Sequence, residues 1–345
     1  MDCRYFDGQV VRLEHIQEVA DKFVRVRLTR IDNEDLNLFE FDYDLTFMVF
    51  FLNAEGKVYG RYGGRDADSP DSRQSLEGLL YTMKSVLRMH DKEQKAFAPR
   101  SEDGPKYLRQ MSGLRRPGRC LHCHQVKEVL NAELQRSGKW TRDLAWRYPL
   151  PENLGLKLEI DRGNVVKEVK KHSPASAAGL APGDMLQRLG GVPIHSFADA
   201  QFALDKAPKS GSVEVAWQRG DRAMKDKLPL PEGWRKTEIY WRPSMQRLVP
   251  SPRLYGLDLK PEEKKALGLP ASQLAFRQKA LVPTQARAAG IRGGDIILGI
   301  DDKRLDMDVD GFVGYVQRNY LVGDRVTVNL LRDGKRMNLP MTLLR

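Results

Sequence analysis

The sequence contains no long hydrophobic run. Its longest uncharged apolar stretch, LTFMVFFLN, covers residues 45–53, which is less than half of the roughly 20 residues that a membrane-spanning helix needs. The first residues, MDCRYFDGQVVRLEH, include neither the apolar segment nor the small-residue cleavage site of a secretory signal. We therefore expect no membrane-spanning helix. A cytoplasmic location is expected if Met1 is the true start, and an extracytoplasmic or periplasmic one if the N-terminus is truncated.

Cysteine is also scarce, with 3 Cys among 345 residues, which excludes a small framework held together by disulfides. The hydrophobic fraction of 41% and the charged fraction of 30% are typical of folded globular protein. At roughly 100 to 200 residues per domain, the chain should form two to four domains. Because helical and strand patterns both occur along it, the sequence predicts a multidomain α+β protein.

A motif that reads nucleic acid is absent, although the formal net charge is +11. Residues 84–147 hold fifteen Lys or Arg and seven Asp or Glu, so +8 of that excess lies in one region. A nucleic-acid binder would carry its basic residues on a folded face with a recognisable reader motif, and we therefore expect no nucleic-acid partner. The favoured interpretation is a solvated basic linker. The alternative is a weak contact with an anionic surface such as a membrane.

The first region, residues 1–92, alternates between helix and strand patterns. The spacing of apolar residues predicts, in order, a helix over 10–23, a strand over 24–31, a short helix over 35–41, an apolar strand over 46–52, a strand over 57–62 and a helix over 75–90. The turn NAEG between the last two strands predicts a β-hairpin. Ser75 at the start of the final helix predicts an N-terminal cap.

This order of elements resembles the thioredoxin fold after its first strand. The resemblance implies a thioredoxin-like α/β domain, with or without that strand, that carries redox cysteines at the start of its first long helix, where Cys3 stands. In such domains the helix N-terminus stabilises a thiolate. Because only one cysteine is present there, two interpretations remain open. One is a degenerate domain with an inert Cys3, and the other is a redox motif with Cys3 as resolving thiol and a cysteine or selenocysteine before Met1.

The second region, residues 93–150, is interrupted by glycine and proline and contains the motif CLHCH. Cys120, Cys123 and His124 fit CxxCH, the attachment site of c-type haem, in which both thiols bond the haem and the histidine ligates its iron. Together with His122, the same side chains could instead bind zinc. A third interpretation is an inert cysteine pair at a helix terminus. Haem c, zinc and no cofactor all remain open.

The strongest pattern in the chain is an internal repeat. The segment AAGLAPGDML at residues 177–186 recurs as AAGIRGGDII at residues 288–297, an offset of 111 residues (288 − 177). Each copy opens with a hydrophobic-Gly-hydrophobic step and ends in an alternating strand and turn. A repeat at this spacing predicts two homologous domains, the first at residues 151–232 and the second at residues 250–345.

The two copies resemble PDZ domains in the arrangement found in bacterial high-temperature-requirement proteases. The resemblance rests on the hydrophobic-Gly-hydrophobic loop, the following strand and the motif SPAxxAGLxxGD, and it covers roughly half of the chain. It implies that backbone N–H groups of the loop bind a terminal carboxylate while a peptide adds as a strand beside a helix. Protein C-termini or extended peptides are the implied partners. The implied loop residues are Leu154, Gly155 and Leu156 in the first copy and Tyr255, Gly256 and Leu257 in the second.

The implied groove helices lie at residues 197–204 and 309–317. The second copy inserts KPEEKKALGLPASQ at residues 260–273, which could cap its groove, so peptide binding is expected of the first copy in particular. The serine protease domain of the related enzymes is not expected, because no GNSG-like stretch precedes the repeat. The alternative is that one or both copies only pack against the rest of the chain.

As a whole, the chain resembles thioredoxin-like and PDZ proteins, a family in which some members are selenoproteins. Two functions follow from this resemblance. The first is peptide or protein binding by tandem PDZ domains joined to a degenerate or truncated thioredoxin-like domain. The alternative is thiol–disulfide or electron-transfer chemistry, with haem c in the latter case, on targets that the PDZ domains select. Enzymatic activity is expected only if an upstream cysteine or selenocysteine exists.

Overall fold

The chain divides into two compact units, Met1–Lys236 and Thr237–Arg345. The first repeat shares the first unit with both regions that precede it, and the second repeat belongs to the second unit. No helix in the described part of the chain is both long and apolar enough to cross a membrane. The computed structural model describes residues 13–28, 30–92, 104–114 and 121–345.

The first region forms a helix, a hairpin and a longer helix. They are α1 at Leu13–Ala20, β1 at Met48–Leu52, β2 at Val58–Gly63 and α2 at Leu76–Asp91. β1 and β2 pair antiparallel, and the Asn53 side chain accepts hydrogen bonds from the backbone N–H groups of Glu55 and Lys57 in the turn. The Ser75 hydroxyl accepts a hydrogen bond from the N–H of Gly78 at 2.9 Å. The predicted hairpin and the predicted cap are both confirmed.

Two predicted elements of this region are not formed. The structure assigns no strand to the described part of residues 24–31, where Val24 is 94% and Val26 is 75% exposed. A strand requires a neighbour that takes its N–H and C=O groups, whereas the described residues of the region contribute only the two-stranded hairpin. Turns replace the predicted helix over 35–41, because the Asp35 carboxylate bonds the N–H group two residues further on.

Part of the predicted linker is folded onto the first region. α3 spans Cys123–Arg136, and its apolar residues, including Val126, pack in a cluster with aromatic side chains of the first region. Lys127 is buried, and its Nζ donates hydrogen bonds to the carboxylates of Asp42 at 3.3 Å and Asp44 at 2.8 Å. This helix is therefore packed and not solvated, because its apolar face has a core to cover.

The first repeat contains two small sheets around one apolar core. A short 3-10 turn at Pro151–Leu154 precedes them. The strands pair as β3-β4 and as β6-β5-β7-β8. The elements are β3 at Leu156–Leu158, β4 at Val166–Val169, α4 at Pro174–Ala177, β5 at Met185–Leu189, β6 at Val192–Pro193, α5 at Phe197–Lys206, β7 at Gly211–Arg219 and β8 at Arg222–Leu230.

The second repeat has the same order of elements, with one added helix, α6, and without a counterpart of β6. Its strands form one sheet in the order β13-β12-β11-β10-β9. The elements are β9 at Gly256–Asp258, α6 at Pro261–Ala266, β10 at Phe276–Gln278, α7 at Thr284–Ala288, β11 at Ile296–Ile300, α8 at Val309–Asn319, β12 at Arg325–Arg332 and β13 at Lys335–Thr342.

The repeated Gly-Asp motif has the same structural role in both copies. In the first, Arg219 donates from Nε and Nη2 to the two carboxylate oxygens of Asp184 at 2.7 and 2.8 Å. In the second, Arg332 makes the same pair of bonds to Asp295 at 2.8 and 2.7 Å. Each arginine also bonds the carbonyl of the glycine five residues before the aspartate. The motif therefore ties the turn to the last residue of β7 in the first copy and of β12 in the second.

Candidate functional site

The first predicted loop is shaped by Gly155, which lies in the left-handed region with φ of 76°. Its N–H donates to the carbonyl of Glu152 at 2.9 Å. A Cβ at this position would overlap the side chain of Ser173. Glycine is therefore required both by the backbone conformation and by the close approach of Ser173.

The strand after this loop has one edge paired with β4 and one edge facing away from it. The carbonyl of Gly155 accepts a hydrogen bond from Lys170, next to β4, and the N–H of Glu159 also donates to that side. Because successive residues of a strand direct their backbone groups to opposite edges, the groups of Leu156 and Leu158 face the other edge. A bound peptide would have to pair there.

The helix beside that edge, α5, is covered on all sides. Nine of its ten residues are buried, and part of the cover comes from β2 of the first region. The backbone N–H of Arg61 donates to Asp199 at 2.8 Å, and the Ser196 hydroxyl donates to the carbonyl of Arg61. The guanidinium of Arg61 lies 3.6 Å from the centre of the Phe202 ring.

Arg73, which precedes α2, lies at the peptide edge of β3. Its Nη1 donates to the carbonyl of Leu158 at 3.4 Å, and its guanidinium stands 4.5 Å from the centre of the Phe197 ring on α5. Its Nε donates to Asp66 at 2.7 Å, and its Nη2 pairs with Glu152. The absence of an insertion after the first loop predicts an open edge, whereas the cover comes from the region before the repeat.

Two ionisable groups are buried beneath this cover. Burial raises the pKa of Asp199 to about 7, against the lowering effect of Arg61 and of backbone N–H bonds. Burial lowers the pKa of His195 to about 4, with smaller contributions from two nearby arginines. The Nδ1 of His195 is hydrogen-bonded to the Ser85 hydroxyl at 2.8 Å, whereas its buried Nε2 has no partner among the described residues. His195 is therefore neutral near pH 7.

The second predicted loop aligns with the first with a shift of one residue. The N–H of Lys279 donates to the carbonyl of Tyr255, as the N–H of Lys170 does to Gly155. Tyr255 and not Gly256 therefore occupies the place of the glycine of the first loop. The N–H of Tyr255 donates to the side chain of Gln278 at 3.1 Å, so this donor is already engaged within the protein.

The strand after the second loop, β9, also has an edge that faces away from its partner strand. The odd-numbered residues from Tyr255 to Leu259 direct their backbone hydrogen bonds toward β10. The N–H and C=O groups of Gly256 and Asp258 therefore face the other edge. The Asp258 carboxylate accepts hydrogen bonds from the N–H of Val309, the first residue of α8, at 3.1 and 3.3 Å. Leu257, between them, is 72% exposed.

The helix beside this second edge is much less covered than α5. Only Phe312 and Val316 of its eleven residues are buried. The inserted segment, for which a capping role was one interpretation, places Leu269 in a cluster with Leu298 and Leu331. That cluster is separate from the core that holds Phe312 and Val316. The insertion thus has a packing role of its own.

The residues of CxxCH that the structure describes lie at the start of α3. The rings of His122 and His124 are stacked with their centres 5.8 Å apart, and His124 Nδ1 lies 3.1 Å from the carboxylate of Glu128. Cys123 is half-buried and packs in the apolar cluster under α3. Cys123 and His124 therefore have different surroundings, the one apolar and the other solvated.

The other two cysteines, Cys3 and Cys120, lie outside the described residues. The resolving-thiol role of Cys3 and the haem or zinc role of Cys120 stay predictions. Within the part of the chain that is described, no group of three or more His, Cys, Asp and Glu is placed to hold a metal ion. A zinc site with four protein ligands would therefore need ligands from outside the described residues, such as Cys120.

Sequence reasoning missed Arg73, Arg61 and Asp199. One signal was available, since an aspartate sits inside the otherwise largely apolar run FADAQFAL at residues 197–204. A charged residue on a groove helix indicates a buried partner elsewhere in the chain. The sequence does not reveal which partner, because Arg61 is 138 positions away.

Comparison with known proteins supports the interpretation of the first repeat. Residues 165–219 match the family model of the PDZ domain. The chain therefore contains a PDZ domain. Among curated proteins, the chain is 26% identical over 148 residues to the periplasmic serine endoprotease DegP of Salmonella typhimurium. It is 33% identical over 88 residues to the magnetosome formation protease MamE of Magnetospirillum gryphiswaldense.

These matches are partial on both sides. The DegP match covers 43% of this chain and 28% of DegP, and the MamE match covers 25% of this chain and 11% of MamE. A solved structure of the HtrA-type protease AlgW with a decapeptide is 18% identical, with a TM-score of 0.25, over 39% of this chain and 49% of that one. The chain thus spans much less than two thirds of the curated relatives it matches.

Proposed function

We propose that this protein binds extended peptide segments of other proteins at the second repeat, which we interpret as a second PDZ domain. The observation that carries the proposal is the edge of β9 beside α8, where Gly256 and Asp258 direct N–H and C=O groups away from β10. An added peptide strand would pair with these groups and lie along α8.

The engaged N–H of Tyr255 bears on the kind of peptide. A loop that captures a C-terminus does so with several converging backbone N–H groups, and one of these is already bonded to Gln278. Strand pairing, and not the terminal carboxylate, should therefore supply most of the affinity. Amidation of the peptide C-terminus is expected to weaken binding by no more than about fivefold.

The test is a titration of the full chain against a library of short synthetic peptides, followed by the best binder on variants of Asp258. Asp258→Pro removes the N–H that faces the open edge and leaves the ladder to β10 intact, since proline is tolerated at such edge positions. It should weaken binding by roughly tenfold or more. The matched control is Asp258→Ala, which loses the carboxylate but keeps the N–H and should still bind.

Hydrogen exchange of the β12 amide of Val328 verifies that the second repeat stays folded in both variants. Equal affinity for the wild type and a folded Asp258→Pro would contradict binding at this edge. Absence of any peptide that binds more tightly than roughly millimolar would contradict the proposed function as a whole, since even small interfaces of this class exceed that affinity.

A second candidate function is a cofactor site at the start of α3, which the stacked pair of His122 and His124 and the neighbouring Cys123 favour. Coexpression with a cytochrome maturation system in an exporting host should give a pyridine haemochrome signal and the mass of one covalent haem. One equivalent of zinc in a colourless protein would favour the metal site instead. If neither haem nor zinc is found, the interpretation that remains is an inert cysteine pair.

We also propose an extracytoplasmic location. Its support is the similarity of the repeat region to DegP, a protein that is itself named periplasmic. Fractionation of cells of the native source, followed by immunoblotting against this chain, should place it outside the cytoplasm. Recovery with cytoplasmic markers alone would contradict the proposal.

A further inference from the structure

We propose that the peptide groove of the first repeat takes no external peptide, because it is the docking face for the chain's own first region. Arg73 occupies the place of the peptide. The inference that the full chain has only one peptide site, at the second repeat, rests on the proposed function. The docking of the first region does not rest on it.

On the strand side of the groove, the first region contacts the outward edge of β3. Of the outward-facing carbonyls of this strand, that of Leu158 accepts a hydrogen bond from Arg73. The backbone of α2 approaches the segment just beyond β3, since a Cβ at Gly78 would lie only 2.6 Å from the carbonyl oxygen of Ile160. The edge that a peptide would need is therefore in contact with the first region at Leu158, and the chain just beyond β3 is in contact with it at Ile160.

On the helix side of the groove, the first region contacts Phe197 of α5. The same guanidinium that bonds Leu158 also stacks over Phe197, the first residue of α5, so Arg73 bridges both walls of the groove. The backbone at Gly64 approaches the Phe197 ring so closely that a Cβ there would lie 2.8 Å from it. A peptide strand cannot lie between the two walls while Arg73 bridges them.

Hydrogen bonds between buried residues hold this cover in place. Arg61 and Asp199 are 5% and 1% exposed, and each meets the other part of the unit through hydrogen bonds to side chain or backbone. Removing the cover would break these hydrogen bonds and expose to water the apolar surface of Phe202 on which the Arg61 guanidinium lies, which is unfavourable. A weakly bound peptide would have to supply that free energy in addition to its own ordering.

The second repeat provides the contrast. Two of the eleven residues of α8 are buried, against nine of ten in α5. At the corresponding place of the second repeat, Asp258 of β9 bonds the first residue of α8. This bridge is a short side chain of the edge strand itself, which Asp258→Ala removes, and not an arginine anchored in another region. The repeat has therefore diverged into one copy that docks the first region and one copy that keeps an open edge.

The experiment uses the full chain and two separate readouts. With the peptide selected above, the wild type should bind one peptide per chain, and the folded Asp258→Pro variant should bind it roughly tenfold or more weakly. A second peptide bound per wild-type chain, with an affinity that Asp258→Pro leaves unchanged, would show that the first groove is open and would overturn the inference.

The second readout does not depend on any peptide. The backbone N–H of Arg61 donates to Asp199 across the docked face, and the backbone N–H of His195 donates to the same carboxylate within the repeat. Arg73→Ala should speed the hydrogen exchange of these two amides by about tenfold or more, because docking is weakened. The β7 amide of Val215 should stay protected and shows that the repeat is folded.

The matched control is Arg162→Ala, which removes an exposed arginine of the turn after β3 that pairs with Glu159. It should leave the exchange of Arg61 and His195 unchanged. Equal exchange of both amides in the wild type and Arg73→Ala would refute the docking. If the wild type bound no peptide at all, the proposed function would fail, but the exchange of the Arg61 and His195 amides would still show whether the first region docks on the groove.

Discussion

At the scale of single residues, each repeat contains a buried aspartate that is bonded to an arginine. The aspartate could be predicted from the sequence, but its arginine partner, which is distant along the chain, could not. The Gly-Asp motif is visible in the sequence because it repeats, and Asp184 and Asp295 indeed have the same partners. Arg219 lies 35 positions from Asp184, so no local pattern identifies it. The motif was predictable, whereas the bond that explains it was not.

A first prediction compares these two aspartates. Asp184→Ala removes the acceptor of two charged hydrogen bonds from Arg219 and of one from the N–H of Ala181. It should lower the free energy of unfolding of the first unit by about 2–3 kcal/mol. Asp295→Ala should have the same effect on the second unit only. Urea denaturation monitored by amide signals of each unit measures both, and a shift of the other unit would contradict the assignment.

A second prediction concerns pH and His195. Burial lowers the pKa of this imidazole to about 4 from a reference of 6.5, so the unfolded chain takes up a proton in that interval while the folded chain does not. Stability is therefore lost as the pH falls from 6.5 to 4, by up to about 3 kcal/mol from this group. The facing carboxyl of Asp199, whose pKa is raised to about 7, contributes in the opposite direction.

The test isolates the histidine as a difference between two proteins. His195→Gln keeps a polar side chain next to Ser85 but cannot titrate. The difference in unfolding free energy between wild type and variant should change with pH between 6.5 and 4 and be constant from pH 7 to 8. A difference that is constant from pH 4 to 8 would show that His195 does not titrate as its burial requires.

Local signals decided which secondary-structure elements could be predicted. The hairpin follows from the turn NAEG and the cap of α2 from Ser75, since each depends on bonds within a few residues. The strand expected at residues 24–31 depends on a partner strand and is not formed. The one-residue shift between Gly155 and Tyr255 arises for the same reason, because pairing with the neighbouring strand sets the register.

A third prediction compares two glycines with nearly the same backbone conformation. Gly155 and Gly179 have φ of 76° and 77°, but a Cβ would overlap Ser173 at the first and would meet nothing within 4 Å at the second. Gly179→Ala should cost about 1 kcal/mol from the left-handed conformation alone. Gly155→Ala should cost about 2–4 kcal/mol, since overpacking is added. Equal values in thermal unfolding would contradict the crowding at Ser173.

At the scale of the whole molecule, the docking of the first region could not be predicted from the sequence. Its bonds join residues far apart, 138 positions for Arg61 and Asp199 and 85 for Arg73 and Leu158. No periodicity or motif reports such a pair. The sequence boundary at residue 150 therefore separated two parts that the structure places in one compact unit.

The boundary of the second unit leads to the last prediction. The repeat predicts a domain that begins at residue 250, whereas the unit begins at Thr237, and the added segment is bonded to the repeat. Leu248 accepts a hydrogen bond from the N–H of Val322, and Glu238 pairs with Arg318 of α8 at 2.9 Å. Ile239 and Met245 of the segment are fully buried.

A fragment of residues 237–345 should therefore fold alone and bind the selected peptide within about twofold of the affinity of the full chain. A fragment of residues 250–345 lacks the buried apolar side chains of that segment and should be less stable by several kcal/mol, roughly 2–3 for each large side chain lost. Thermal unfolding and peptide titration of the two fragments measure this. Equal melting temperatures would show that residues 237–249 do not belong to the folded unit, and the peptide-binding surface would then have to be assigned to residues 250–345 alone.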